Sequence, residues 1–289
     1  IMGNADADAG ATGVARTFHA YSLMRLVYLW DESGARLNYD GDITAPVSTK
    51  AEVLTEIERL LEAGHSDLIS AVDCDGDDDN GVQFCFTLSD GFEGFDTPAT
   101  FALFNRGLRA RVAVHQDDWD AAQDALDACS AWATSSDPDE GVYHVFSSGA
   151  NDQDNQMYED PTATTIKLVI HPTFYTDAEA GDSRVSDNVV VRADTIVYDG
   201  LESYLAPSLY TSSYDPVPIM RAEELQLLQA EVHIGNGDYS DAETIMNAIR
   251  TAAGVADYSG TDASNAVDRV LHEKRYSLFL EGHRLVDMR

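Results

Sequence analysis

The chain has 289 residues, 44% of them hydrophobic, enough for one large or two modest globular units. Its 51 Asp and Glu stand against 18 Lys and Arg, a net charge of −33, and such a field repels nucleic-acid phosphates and anionic lipid. Only Lys50, Lys167 and Lys274 are lysines and Asp outnumbers Glu, a bias that reads as adaptation of a solvated surface to a saline setting.

The first residues, IMGNADADAG, lack the charged start and apolar core of a signal peptide, and both ends of the sequence read as truncated relative to the gene. No stretch approaches the roughly 20 apolar residues of a membrane span. In residues 12–30, Val14, Phe18, Tyr21, Leu26 and Leu29 fall near helical spacing and predict a helix packed on that stripe. After the polar loop DESGARLNYDGDITAPVS, Thr49 and Glu52 have the form of a capping box. Val53, Leu54, Ile57, Leu60 and Leu61 supply the apolar face of the helix that follows, and Gly64 a C-terminal stop.

Cys74 and Cys85 flank the acidic run DGDDDNGVQF and can close a short loop in an oxidising compartment. Cys129 falls on the apolar side of a helical pattern and reads as a small buried hydrophobe. Within the run, Asp73, Asp75, Asp77 and Asp79 alternate as the oxygen ligands of a calcium loop do. An EF-hand counted from Asp75 would need Gly and Glu where Asn80 and Phe86 stand, so calcium competes with a merely solvated acidic loop.

Residues 102–130 and 222–250 superpose without a gap at an offset of 120: Ala110 meets Ala230, Asp118 meets Asp238, Trp119 meets Tyr239, and Ala122 meets Ala242. Each copy predicts a helix, a turn ending in Asp plus an aromatic residue, and a second helix with small Ala at the crossing. That is the plan of a tetratricopeptide-like hairpin, with Trp119 and Tyr239 assigned to packing. The insert at about 134–217 carries the β-like runs KLVIHPTFY and NVVVRADTIVY among turn-forming residues. A last helix is expected from about Ala263 to Gly282, capped by Asp262 and burying Val267, Val270, Leu271, Leu278 and Phe279. The fold class is therefore mainly α. A helical frame at about 12–64, 99–133 and 218–289 is interrupted by an irregular, β-containing insertion, all within one domain.

The order RAEELQLLQAEVHIGNGDYSDAETIMNAIRTAAG, a loop, then HEKRYSLFLEGHRLVDMR resembles the SusD/RagB family of outer-membrane nutrient-binding lipoproteins. ARTFHAYSLMRLVYLW, RARVAVHQDDWDAAQDAL and AGDSRV are similar to further segments of that family, in the same order. The chain departs at Lys274 and Ser277, and DESGAR stands where the family has Gly-Asp-Val-Pro. The resemblance implies a lipid-anchored protein on the outer face of a bacterial outer membrane, lying over a SusC-like TonB-dependent β-barrel transporter and capturing oligosaccharide. It also implies an N-terminal lipid anchor and first helices ahead of Ile1, and a segment beyond Arg289. In EGHRLVDMR it makes Glu281 and Arg284 ties between a helix end and its neighbours, with Gly282 at the turn.

Sugar-binding surfaces set aromatic faces against C–H groups, with polar side chains on the hydroxyls. Loop candidates are Trp30, Asn38, Tyr39, Phe92, Phe95, Tyr204, Tyr210 and Tyr214. Each taken singly also reads as a loop packing residue. No enzyme is predicted: His272-Glu273 lacks the second His of a zinc-protease helix, and neither Gly-x-Ser-x-Gly nor a phosphate loop occurs. No cofactor beyond the possible calcium is implied. The alternatives are a helical-repeat scaffold that binds only protein, or a relative that takes peptide.

Overall fold

The computed structural model describes residues 9–37, 41–42, 44–74 and 81–289, apart from the side chain of Tyr198. Helix α1 (Ala9–Trp30) lies against α2 (Lys50–Ile69). Thr49 caps α2 as a capping box: its hydroxyl accepts the Glu52 amide while the Glu52 carboxylate accepts the Thr49 amide at 2.8 Å. The buried face of α1 is Val14, Thr17, Ala20, Leu23, Met24 and Val27, whereas Leu26 and Leu29 are exposed. Apolar residues surround α1 on all sides, so periodicity alone did not single out the face that meets α2. Gly64 does not end α2 either. It sits inside the helix where Gly13 of α1 passes, and a methyl at Gly13 would come within 2.6 Å of Leu68 Cγ and 2.9 Å of the Gly64 carbonyl.

Helix α3 (Pro98–Val114) starts at a Thr97 cap with Pro98 in its first turn, where the missing N–H costs nothing. It is followed by α4 (Trp119–Ala128), capped by the Asp118 carboxylate on the Ala121 amide at 3.1 Å, and by the short α5 (Ser130–Ala133). The insert contributes β1 (Gly141–His144), the short helices α6 (Pro172–Thr176) and α7 (Ser183–Ser186), β2 (Val189–Tyr198), β3 (Leu201–Pro207) and β4 (Val217–Arg221). Strand β1 pairs antiparallel with β4, Val142 opposite Met220. Strands β2 and β3 form a hairpin through Asp199 and Gly200, both at positive φ as a tight two-residue connection demands. NVVVRADTIVY is thus a strand, but KLVIHPTFY is not: His171 caps α6 through Thr173, and Ile170 alone of its residues bonds to β3 among the described residues, its amide to Leu205 O and its carbonyl accepting from the Ser203 hydroxyl.

The second hairpin is α8 (Ala222–Asn236) and α9 (Tyr239–Ala253), each closed by a left-handed glycine, Gly237 and Gly254. The repeats interlock through the turn aromatic, since a Cβ on Gly235 would lie 2.3 Å from the Trp119 ring. Cys129 is buried in the same region, and burial pushes its thiol up to about 12. Helix α10 (Ala266–Ser277) is shorter than the sequence predicts and begins after Asn265, while Asp262 accepts the Ser264 amide in the preceding turn. Val270 and Leu278 are buried in it or at its end, whereas Val267 is exposed. Leu280 and Gly282 at positive φ separate it from α11 (Arg284–Asp287). The main core runs through α1 to α5 and reaches β4 and α8, with Phe101, Phe104, Leu108, Trp132 and Leu225 at its centre. The architecture is mainly helical and tetratricopeptide-like.

Candidate functional site

The helical frame is tied by buried ion pairs. Arg111 on α3 meets Glu224 on α8 through two bonds of 2.5 and 2.6 Å, both side chains almost wholly inside. Glu273 on α10 accepts from Arg184 at 2.7 Å, Arg250 at 2.6 Å and the Tyr258 hydroxyl at 2.8 Å. Glu179, His272 and Glu273 lie close enough to share an ion, yet the two guanidiniums already neutralise both carboxylates. In the terminal segment, Arg221 of β4 donates to Glu281 at 2.8 Å. Burial raises that carboxyl to about 7 against the opposing pull of Arg221. Arg284, by contrast, is exposed and makes no ion pair among the described residues, so Glu281 alone carries the tie expected of the two.

The sequence-predicted glycan candidates separate by burial. Phe92 and Phe95 are 5% and 3% exposed: Phe92 stacks on Phe101, and Phe95 meets Trp132 edge-on at 4.7 Å. Tyr210 is buried as well, its phenol pushed up to about 12 by burial. These three rings are buried and are not available to a sugar, Phe92 and Phe95 because the turn that carries them folds inward onto the helices. Tyr204 is half-buried against the Phe174 cluster. Trp30 and Tyr214 are exposed, at the end of α1 and in the loop before β4. Asn38, Tyr39, Asp75, Asp77 and Asp79 lie outside the described residues. The Asp73 carboxylate accepts the Gln83 amide at 2.9 Å. Cys74 and Cys85 are joined as a disulfide with Cα atoms 5.1 Å apart.

The structure assembles an aromatic surface that the sequence reading missed. Phe84 and Phe86 stack at 5.0 Å with planes 28° apart, Phe84 backed edge-on by Phe101 and Phe86 open to solvent. They floor a cleft of about 370 Å³ whose polar wall includes Gln83, Ser89, Asp90, Glu93 and Asp96. The disulfide and the Asp73–Gln83 bond both anchor the segment that presents the rings. A second cleft of about 330 Å³ shares Asp90 and Glu93 and continues to Asp137, Asp139, Tyr143 and Pro216. Gly91 makes the junction, because a Cβ there would lie 2.0 Å from the Tyr143 carbonyl. The signal in the sequence was the Phe-Cys-Phe triplet beside SDGFEGFDTP. Composition cannot tell which of four nearby phenylalanines faces out.

A larger groove of about 730 Å³ runs between α1, α8 and α10. Its walls are the repeat aromatics Trp119 and Tyr239, and its Lys274 ammonium is already held by Glu231 at 3.1 Å and Asp287 at 2.6 Å. That makes it a seam of the frame.

Residues 204–289 match the model of the SusD family. The whole fold is similar to solved structures of that superfamily. A SusD superfamily protein from Bacteroides fragilis gives a TM-score of 0.69 at 15% identity, over 96% of this chain and 68% of that one. A SusD-like carbohydrate-binding protein from Bacteroides vulgatus gives 0.66 at 18%, over 97% and 62%. Surface glycan-binding protein A from Bacteroides uniformis gives 0.63 at 18%, over 95% and 65%. The chain thus spans about two thirds of the length of these structures. No curated protein sequence matches it.

Proposed function

We propose that this chain is a SusD-family protein, a reading supported by the match of residues 204–289 to that family's model and by the similar fold of solved SusD superfamily structures, and that it is a non-catalytic binding protein. It takes oligosaccharide at the cell surface and passes it to a SusC-like TonB-dependent transporter, held to the outer membrane by an N-terminal lipid anchor. The observation that carries the binding half is the Phe84–Phe86 stack, with Phe86 open to solvent, in a cleft walled by an amide, a hydroxyl and carboxylates. A ring presented edge to edge with acceptors suits the alternating C–H faces and hydroxyls of a sugar. The surrounding frame, stiffened by buried ion pairs, gives such a platform a fixed position. The glycan-binding names among the structurally similar proteins support the same reading.

Two measurements test it. Calorimetric titration of an oligosaccharide panel should find a binder that Phe86→Ala abolishes; a panel that binds nowhere, or binds Phe86→Ala unchanged, removes the cleft from consideration. Mild detergent extraction of native membranes should bring down a large β-barrel transporter with the chain, and recovery of the chain alone from a soluble fraction would remove the transport half.

A further inference from the structure

The two joined clefts have one electrostatic sign. Asp90, Glu93, Asp96, Asp137, Asp139 and Glu140 line them, and among the described residues no Lys or Arg does. Among the described residues only Asp139 of these six meets a guanidinium, that of Arg221 at 3.4 Å. Several basic side chains are committed to carboxylates inside the frame: Arg111 to Glu224, Arg184 and Arg250 to Glu273, Arg221 to Glu281, and Lys274 to Asp287.

We infer that the Phe86 cleft selects oligosaccharides by charge, taking amino sugars with protonated amines ahead of neutral sugars and rejecting chains that carry uronate or sulfate. The inference rests on the glycan reading above and deepens it. An ammonium on a sugar ring stacked over Phe86 donates charge-assisted hydrogen bonds to the free carboxylates, which are shorter and stronger than those a hydroxyl makes. An anionic sugar brought to the same ring meets like charge with no counterion from the protein. At 0.15 M salt the screening length is about 8 Å, so several carboxylates of the rim act together; at 1 M it falls to about 3 Å and the discrimination shrinks. Stacking on Phe84 and Phe86 has no such salt dependence, so the two contributions separate by ionic strength.

The test compares a glucosamine oligomer with its N-acetylated counterpart, identical in linkage and length but neutral, and with a galacturonate oligomer of equal length. Binding is measured by calorimetry at about pH 6, below the α-amino range, in low and high salt. The protein is the full chain, its D90N/E93Q/D96N variant and its Phe86→Ala variant; the first three side chains are exposed and outside the core. The glucosamine oligomer should bind tightest and the galacturonate weakest. Charge neutralisation should cost the glucosamine oligomer about tenfold more than it costs the N-acetylated oligomer, from roughly three exposed charge contacts, and erase the salt dependence of its binding. Galacturonate binding as tightly as glucosamine, or a neutralised rim that changes nothing, overturns the charge inference while the glycan reading stands. A charge effect that survives Phe86→Ala in full overturns the aromatic platform instead, and absence of binding by all three sugars overturns both.

Discussion

Gly13 and Gly64 face one another where α1 crosses α2, and each backbone occupies the space a side chain on the other would need. A methyl on Gly64 would lie 3.1 Å from the Gly13 carbonyl, and one on Gly13 would press on Leu68. The Thr17 hydroxyl donates to the Gly13 carbonyl at 2.8 Å and accepts from Asn105 at 2.7 Å, so the crossing is also bonded to α3. Alanine raises helix propensity by about 1 kcal/mol over glycine. Gly13→Ala should nevertheless destabilise the fold by about 1–3 kcal/mol, because overpacking exceeds that gain. Urea denaturation of the variant checks it, and unchanged or increased stability would mean the helices can move apart freely.

Arg111 and Glu224 form the innermost pair of the frame, their side chains 3% and 1% exposed. Glu224→Gln leaves a buried guanidinium without its counter-charge and should cost about 3–5 kcal/mol. The double replacement R111M/E224M removes both charges and should recover most of that loss. A double-mutant cycle at neutral pH measures the difference, and additive losses would show that the two residues act separately.

Phe86 and Phe92 stand six residues apart and have opposite roles. Phe92→Ala should cost about 3–5 kcal/mol of stability, since it empties a space between Phe18, Phe101 and Phe104. Phe86→Ala should leave stability within about 0.5 kcal/mol, as surface substitutions do, while removing sugar binding. Thermal unfolding of both variants side by side distinguishes them, and a large loss from Phe86→Ala would make that ring structural.

His283 is buried with its ring 3.6 Å from Glu224. Burial depresses its protonation from 6.5 to about 4, and Arg111 and Lys274 add to that against the pull of Glu224. The unfolded chain therefore takes up this proton first. The neutral ring's contribution is complete above 6.5 and is lost as pH falls toward 4, on the order of 3 kcal/mol at the acid end. An NMR titration of the ring should show a midpoint near 4, and a midpoint near 6.5 would mean that the site admits water.

The helical hairpins were legible because their signals are local. Asp118 and Asp238 precede the turn aromatics, Ala122 and Ala242 mark the close crossings, and the Thr49–Glu52 box starts α2, all at spacings that helix geometry alone prescribes. The charge of the surface was legible too, since most carboxylates must be solvated wherever they fall. What only the tertiary structure decided is which side of each irregular segment faces inward. Tyr214 and Phe92 read alike in sequence as loop aromatics open to a sugar, yet one is exposed and the other is core. A loop has no fixed side-chain period, so the direction of Phe86 or Phe95 depends on contacts such as Gly91 against Tyr143 and Asp73 against Gln83. The same holds for the cations. Composition counted Arg111, Arg250 and Lys274 as scattered charge, and long-range packing placed them inside beside Glu224, Glu273 and Asp287, leaving the cleft to the acids.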